Sequence, residues 1–310
     1  MNGRLAVAAL LGALILLGAA GPARAQGSTT AFELDALDAR AFAMGGTLVA
    51  LPQDETAMRW NPALMVFLPG RGVTAGYSTP AAGLGAGHGA VAAAMPLGGA
   101  LPNLPPGAPV WHSAAGVLLM TTGLDLVGGS RWSETQLGAG YAIAALPFLG
   151  VGGSARLLSN STGAAGAAVS GFALDVGLGV MATRSLQAGL VLRNILSTVK
   201  WKDLDLSESL PNVVVMGAAL DLGRSKGEAG LVLSGSQSAY GYAGAEHALL
   251  DGALKLRAGA RAYFGQEPRG APTAGVGLVR GAFRVDLAGS FDAATALGTT
   301  TALSLGYRFP

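Results

Sequence analysis

The sequence predicts an all-β fold: a closed antiparallel transmembrane β-barrel of about 14 strands, with a short plug or hatch segment ahead of it. Three observations predict it. Charged residues make up only 12% of the chain, against about 25% in ordinary globular domains. Between Arg71 and Asp125 there is no Asp, Glu, Lys or Arg at all. Where apolar residues recur, they do so with a period of two rather than 3.6, which is a strand pattern.

A chain of 310 residues with so little charge cannot clothe a water-soluble exterior of that size. Its apolar residues must meet lipid, and only helices and closed barrels satisfy the backbone there. A spanning helix needs about 20 apolar residues in a row. The best candidate, Leu137 to Gly153, is 17 residues long, carries five glycines and is cut by Pro147. Elsewhere Gly, Ser and Thr dilute the hydrophobicity, so a helical bundle is excluded.

Residues 1–25 read as a secretory signal peptide. Arg4 supplies the positive start, Leu5 to Ala20 the apolar run, and Ala23-Arg24-Ala25 the small-residue site, with cleavage expected after Ala25. Arg4 and Arg24 are two of the 20 basic residues, and without them 18 face 18 acidic residues. The balance gives no electrostatic footprint for nucleic acid. Cysteine is absent, which removes thiolate chemistry and cysteine–metal sites.

The strands are read from alternation. In Leu254 to Phe264 one face carries Leu254, Leu256, Ala258, Ala260, Ala262 and Phe264; the other carries Lys255, Arg257, Gly259, Arg261 and Tyr263. Leu186 to Arg193, Glu228 to Ser236 and Ala302 to Phe309 repeat the pattern. Counting such segments from residue 71 to 309 gives fourteen, an even number as single-chain bacterial barrels require, with twelve or sixteen if one pair is misread. Turn signals separate them, among them Asp251-Gly252 and Arg280-Gly281. Two longer connections, Pro96 to His112 and Ser197 to Pro211, are both expected on the extracellular side. Lys255, Arg257 and Arg261, with Arg284 and Asp286, are expected to face the lumen as a hydrated wall.

Residues 26–70 do not alternate. Asp54 and Glu55 suit the start of a short helix, Pro62 disfavours helix at Asn61, and Gly45-Gly46 permits a tight turn or a close approach to a wall. The order Arg40-x-x-x-Met44-Gly45-Gly46, then Asp54-Glu55, then Trp60-Asn61-Pro62-Ala63-Leu64, resembles the amino-terminal segment of the FadL-like outer-membrane barrels, including the PorV/PorQ group. The resemblance spans about 35 residues. It implies a division into signal peptide (1–25), plug or hatch (26–70) and barrel (71–310). It further implies that Arg40, Met44, Gly45, Gly46, Asp54, Glu55, Asn61, Pro62 and Ala63 form the plug and gate, and that the chain lies in the outer membrane of a Gram-negative cell. Passive transport of hydrophobic small molecules, such as long-chain fatty acids, is the function it implies. A PorV/PorQ-like accessory role in protein secretion or surface attachment is the alternative. The expected partners are the lipid bilayer and either a hydrophobic small molecule or secretion-system subunits. The carboxyl terminus departs from the usual barrel pattern, since Phe309 is followed by Pro310.

No cofactor, metal or enzymatic activity is expected. His88, His112 and His247 are far apart and have no ligand neighbours at metal spacing. Glu246-His247 would be the start of a hydrolytic site, but no serine or aspartate partner can be assigned from the sequence.

Overall fold

A computed structural model describes residues 38–51, 54–80, 85–101, 109–125, 131–162, 168–202, 206–234, 239–264, 269–291 and 299–310. The expected signal peptide and residues 26–37 lie outside the described residues. No helix among the described residues is long and apolar enough to cross a membrane.

The strands are β1 (Gly72–Pro80), β2 (Gly87–Ala100), β3 (Trp111–Asp125), β4 (Arg131–Leu146), β5 (Leu149–Thr162), β6 (Val169–Met181), β7 (Leu186–Trp201), β8 (Leu206–Glu208), β9 (Val213–Asp221), β10 (Ser225–Ser234), β11 (Tyr240–Leu249), β12 (Leu254–Tyr263), β13 (Arg269–Arg280), β14 (Phe283–Phe291) and β15 (Thr299–Arg308). Each pairs antiparallel with its neighbours, β1 with β15 and β7 with β9, so the ring closes without an edge. Fourteen strands form the ring, as the alternation predicts; the fifteenth, β8, is three residues added beside the end of β7.

Alternation sets what faces out. Val117, Leu157, Leu287 and Leu305 are 55%, 63%, 52% and 54% exposed, whereas their neighbours Leu118, Leu158, Asp286 and Ser304 are buried. Nine or ten residues at about 3.3 Å each, tilted by roughly 40°, climb about 23 to 25 Å, the height of an outer-membrane apolar band. Aromatic pairs mark both ends: Tyr240 lies 5.3 Å from Tyr263 at one, and Phe283 lies 4.9 Å from Tyr307 at the other.

Strands β3 to β7 run 13–16 residues, while β9 to β12, β14 and β15 run 9–10. The extra length is polar outside: Thr121, Asp125, Arg131, Ser159, Ser161, Ser170 and Lys200 are all exposed. Five of the fourteen strands therefore stand above the apolar band as a water-facing collar.

Two expectations need correction. The Ser197–Pro211 connection is shorter than expected, because β7 continues through Ser197 to Trp201. A bulge permits this: Asn194 adopts φ 56° opposite Asp175, and the two strands resume register at Leu196 and Leu174. The two long connections also cannot share a side. Strand parity places the β2–β3 connection at the end with the tight turns Pro147-Phe148 and Gly281-Ala282, and the β7–β9 connection at the opposite end.

An arginine at position 287 would face lipid near mid-strand. Leu287→Arg is expected to destabilise the barrel in lipid vesicles by about 2–4 kcal/mol, measured by denaturant unfolding.

Candidate functional site

The lumen is occupied. Residues 38–51 and 54–68 are buried inside the ring, around helix α1 (Ala39–Ala43), helix α2 (Ala57–Trp60) and a 3-10 turn (Pro62–Phe67). Asp38 opens α1, accepting from the Ala41 N–H at 2.6 Å, and also accepts the Trp60 indole N–H at 2.9 Å. The capping bond thereby ties the two halves of the inner segment together.

A main chain this close to a barrel wall requires a wall without side chains. A Cβ added at Gly152 would sit 2.6 Å from the Ala63 nitrogen, and one at Gly259 would sit 2.6 Å from the Gly45 nitrogen. Gly150, Gly177, Gly189 and Gly244 are equally bare against Ala63, Asn61, Val49 and Met44. The glycines are aligned: Gly150, Gly179, Gly189, Gly217 and Gly230 are direct register partners across β5, β6, β7, β9 and β10. On the inner segment, Gly45 and Gly46 adopt φ 90° and 85°, a left-handed pair that disfavours side chains. Arg261 donates to the Gly45 carbonyl at 2.8 Å and stacks over Phe42, and Thr273 donates to the Ala43 carbonyl at 2.8 Å.

Charge fixes the segment at one side. Arg40 reaches Glu246 at 3.2 Å and Asp54 at 3.7 Å. Arg284 meets Asp54 at 3.0 Å and Asp286 at 2.8 Å. Arg257 bridges Glu246 and Asp286, both at 2.7 Å, and Lys255 approaches Glu246 at 3.6 Å. Burial favours the neutral Asp54 carboxyl, but Arg284 and then Arg40 lower its pKa to about 2. With the folded value depressed, the stabilisation is complete above the ordinary 3.8 and is lost as pH falls through about 2. Glu55 behaves oppositely: burial and then Asp54 raise its carboxyl, which accepts from the Thr74 hydroxyl at 2.8 Å.

The other side is held largely by hydrogen bonds, with the Arg193 guanidinium 5.6 Å over the Trp60 ring. The Asn61 amide donates to the Val49 and Leu178 carbonyls, both at 2.9 Å, and its oxygen accepts from Ala63. Pro62 starts the 3-10 turn. Glu228 on β10 accepts three consecutive backbone N–H groups, from Val49, Ala50 and Leu51, at 2.6, 3.1 and 2.8 Å, and the Tyr242 hydroxyl at 2.8 Å.

The structure thus brings Arg40, Asp54, Lys255, Arg257, Arg284 and Asp286 into one network. It places Met44, Gly45 and Gly46 with Arg261, joins Glu55 to the network through the Thr74 hydroxyl, which accepts from Arg284 at 3.1 Å, and sets Asn61, Pro62 and Ala63 against β5 to β7. The expectation of a hydrated wall fails for Arg257 and Asp286, which have 0% side-chain exposure because the inner segment covers them, whereas Lys255 and Arg284 keep 23% and 14%. Glu246 and His247 do not share a site, since consecutive strand residues face opposite ways, Glu246 inward and His247 outward. Glu228 was legible only as a residue on a polar face; the three N–H groups it collects come from a segment 177–179 positions away.

Beneath the inner segment, at the end with the tight turns, a cavity of about 1020 Å3 opens. Phe67, Phe148 and Met181 line one part, and Arg40, Lys255 and Arg284 another.

A closed barrel of this size with an inward-lying amino-terminal segment has solved counterparts. The fold is FadL-like. The monoaromatic hydrocarbon channel CymD superposes with a TM-score of 0.65 at 14% identity, covering 90% of this chain and 99% of its own. The Ralstonia pickettii toluene transporter TbuX gives 0.63 at 15%, with 90% and 100% covered. A Pseudomonas aeruginosa FadL homologue gives 0.64 at 12%, with 91% and 100% covered. No family model and no curated protein matches the chain.

Truncating Glu228 would orphan three buried N–H groups, each costing about 1–3 kcal/mol. Glu228→Ala, and separately Gly189→Val, are expected to leave the barrel folded while exposing Arg59 to trypsin, read by limited proteolysis of the unboiled protein.

Proposed function

We propose that the chain is an outer-membrane channel through which hydrophobic small molecules pass without energy input, and that the buried inner segment is its plug. The reading rests on one observation above the others: a closed fourteen-strand ring whose lumen is filled by residues 38–51 and 54–68 of the same chain. Chains of the same fold, matched over nearly their whole length, are a monoaromatic hydrocarbon channel and toluene transporters. The apolar exterior suits a bilayer, and the two aromatic ends suit its interfaces.

In this reading the gate is the glycine-seated main chain at Met44-Gly45-Gly46 and Asn61-Pro62-Ala63. Arg40, Asp54 and Glu55 anchor it, together with the wall residues Lys255, Arg257, Arg261, Arg284 and Asp286. The plug need not leave the barrel. Rupture of the Glu228 contacts alone would release Val49 to Leu51 from the β9–β10 side and open a way to the cavity below. That cavity is the exit vestibule, with Phe67, Phe148 and Met181 as its apolar surface.

The residues 1–25 belong to this reading as the export signal. A PorV/PorQ-like accessory role rests on the Met44-Gly45-Gly46 resemblance, and a pull-down from membranes that recovers secretion subunits would favour it.

Uptake of labelled toluene and of a long-chain fatty acid should be slower in a deletion strain than in its parent. Equal rates for every hydrophobic substrate would count against transport. Glu228→Ala should raise the single-channel conductance of the reconstituted protein above that of the parent.

A further inference from the structure

One register row at the base of the collar is left unexplained by plug, anchor or vestibule. Ser78, His88, Thr122, Glu134 and Asn160 are direct register partners on β1 to β5. The row continues through Val169 on β6 to Trp201 on β7. Ser78, Thr122, Glu134, Asn160, Val169 and Trp201 are buried on the lumen side, so the row is polar from β1 to β5 and apolar on β6 and β7.

The polar half holds unused hydrogen-bonding capacity. His88 and Thr122 meet at 3.1 Å, and Glu134 accepts the Trp132 indole N–H at 3.0 Å. The Ser78 hydroxyl and both the oxygen and nitrogen of the Asn160 amide are buried without a hydrogen-bond partner. Each such group carries a desolvation cost that native structures rarely leave uncompensated. Asn160, with both amide atoms unpaired between Glu134 and the apolar part of the row, marks a place for a polar group from outside the chain.

Beside them lies an apolar surface. Leu158, Val169, Ala173, Val199, Trp201 and Leu210 form one cluster, with Trp132 packed against it. Asn160 stands one strand from Val169 and two residues from Leu158.

We infer that this row is an entry site for molecules with an apolar body and one uncharged hydrogen-bonding group, such as a phenol or an alcohol. Asn160 offers both a donor and an acceptor, and the tryptophans take the body; Ser78, four strands away along the row, is out of reach of the same molecule. The Glu134 carboxyl, register partner of Asn160, disfavours a carboxylate in the same place. This site lies at the collar, at the far end of the lumen from the vestibule. The inference rests on the channel reading and refines its substrate class.

The test uses three molecules of one shape: p-cresol, toluene and p-toluate. Binding to the purified full-length protein in detergent is measured by titration calorimetry, for the parent, Ser78→Ala and Asn160→Leu. The parent should bind p-cresol more tightly than toluene, and p-toluate most weakly. Asn160→Leu should lose roughly fivefold to tenfold in p-cresol affinity, the worth of one hydrogen bond, while its toluene affinity stays unchanged and Ser78→Ala, four strands away, keeps the parent's affinities. Unchanged p-cresol affinity in Asn160→Leu would overturn the inference and leave the channel reading standing. Equal loss for p-cresol and toluene, with heat-modifiable migration intact, would overturn it too, since the row would then only shape the lumen. If the parent binds none of the three and transports none, the channel reading itself fails.

Discussion

The structure depends on main chain meeting main chain inside the ring. The inner segment lies so close to β5 to β7 and to β11 and β12 that an added Cβ at Gly152 or Gly259 would come within 2.6 Å of its backbone nitrogens. Such contact is possible only where the wall has no side chains. This gives the 49 glycines of the chain a physical purpose beyond turns. Glycine weakens strands, by roughly 0.5–1 kcal/mol relative to alanine. Closure of the barrel compensates, since no strand of the fourteen-strand ring has an unpaired edge on which that weakness could act.

Close packing of backbone leaves polar groups to satisfy, and the wall supplies the partners. Glu228 is the clearest case: an acid that accepts from the Tyr242 hydroxyl and holds three successive N–H groups as a helix cap would. On the opposite side the same task falls to full charges, with Arg40 and Asp54 from the inner segment matched to Glu246 and Arg284 from the wall. A buried ion pair is poor evidence of stability, because desolvation offsets attraction, but it is strict about position. The two sides therefore hold the segment differently. One fixes register through ion pairs, and the other relies chiefly on hydrogen bonds, with Arg193 stacked over Trp60.

Much of this was legible in the sequence, for a simple reason. Alternation is a local property, so Lys255, Arg257 and Arg261 could be placed on the inner face, and the number of strands counted, from neighbours alone. Asp54-Glu55 and Asn61-Pro62 marked short helical turns for equally local reasons. What was not legible required knowing what lay across the lumen. The arginines were expected to meet water because nothing in their own strand says that Asp54, 200 and more positions away, will cover them. The bulge at Asn194 was missed because its cause, Asp175 accepting its N–H at 2.9 Å, sits on another strand. Likewise the aligned glycines reveal themselves only once the strands are in register.

The unequal strands have a consequence for the mouth of the barrel. With β3 to β7 standing taller than β9 to β12, β14 and β15, the rim is cut on a slant. Its lower lip lies nearest the lipid headgroups, and its upper lip carries Ser159, Ser161 and Lys200 into water. A slanted rim admits a solute from one flank, so approach is biased in azimuth before any side chain is touched.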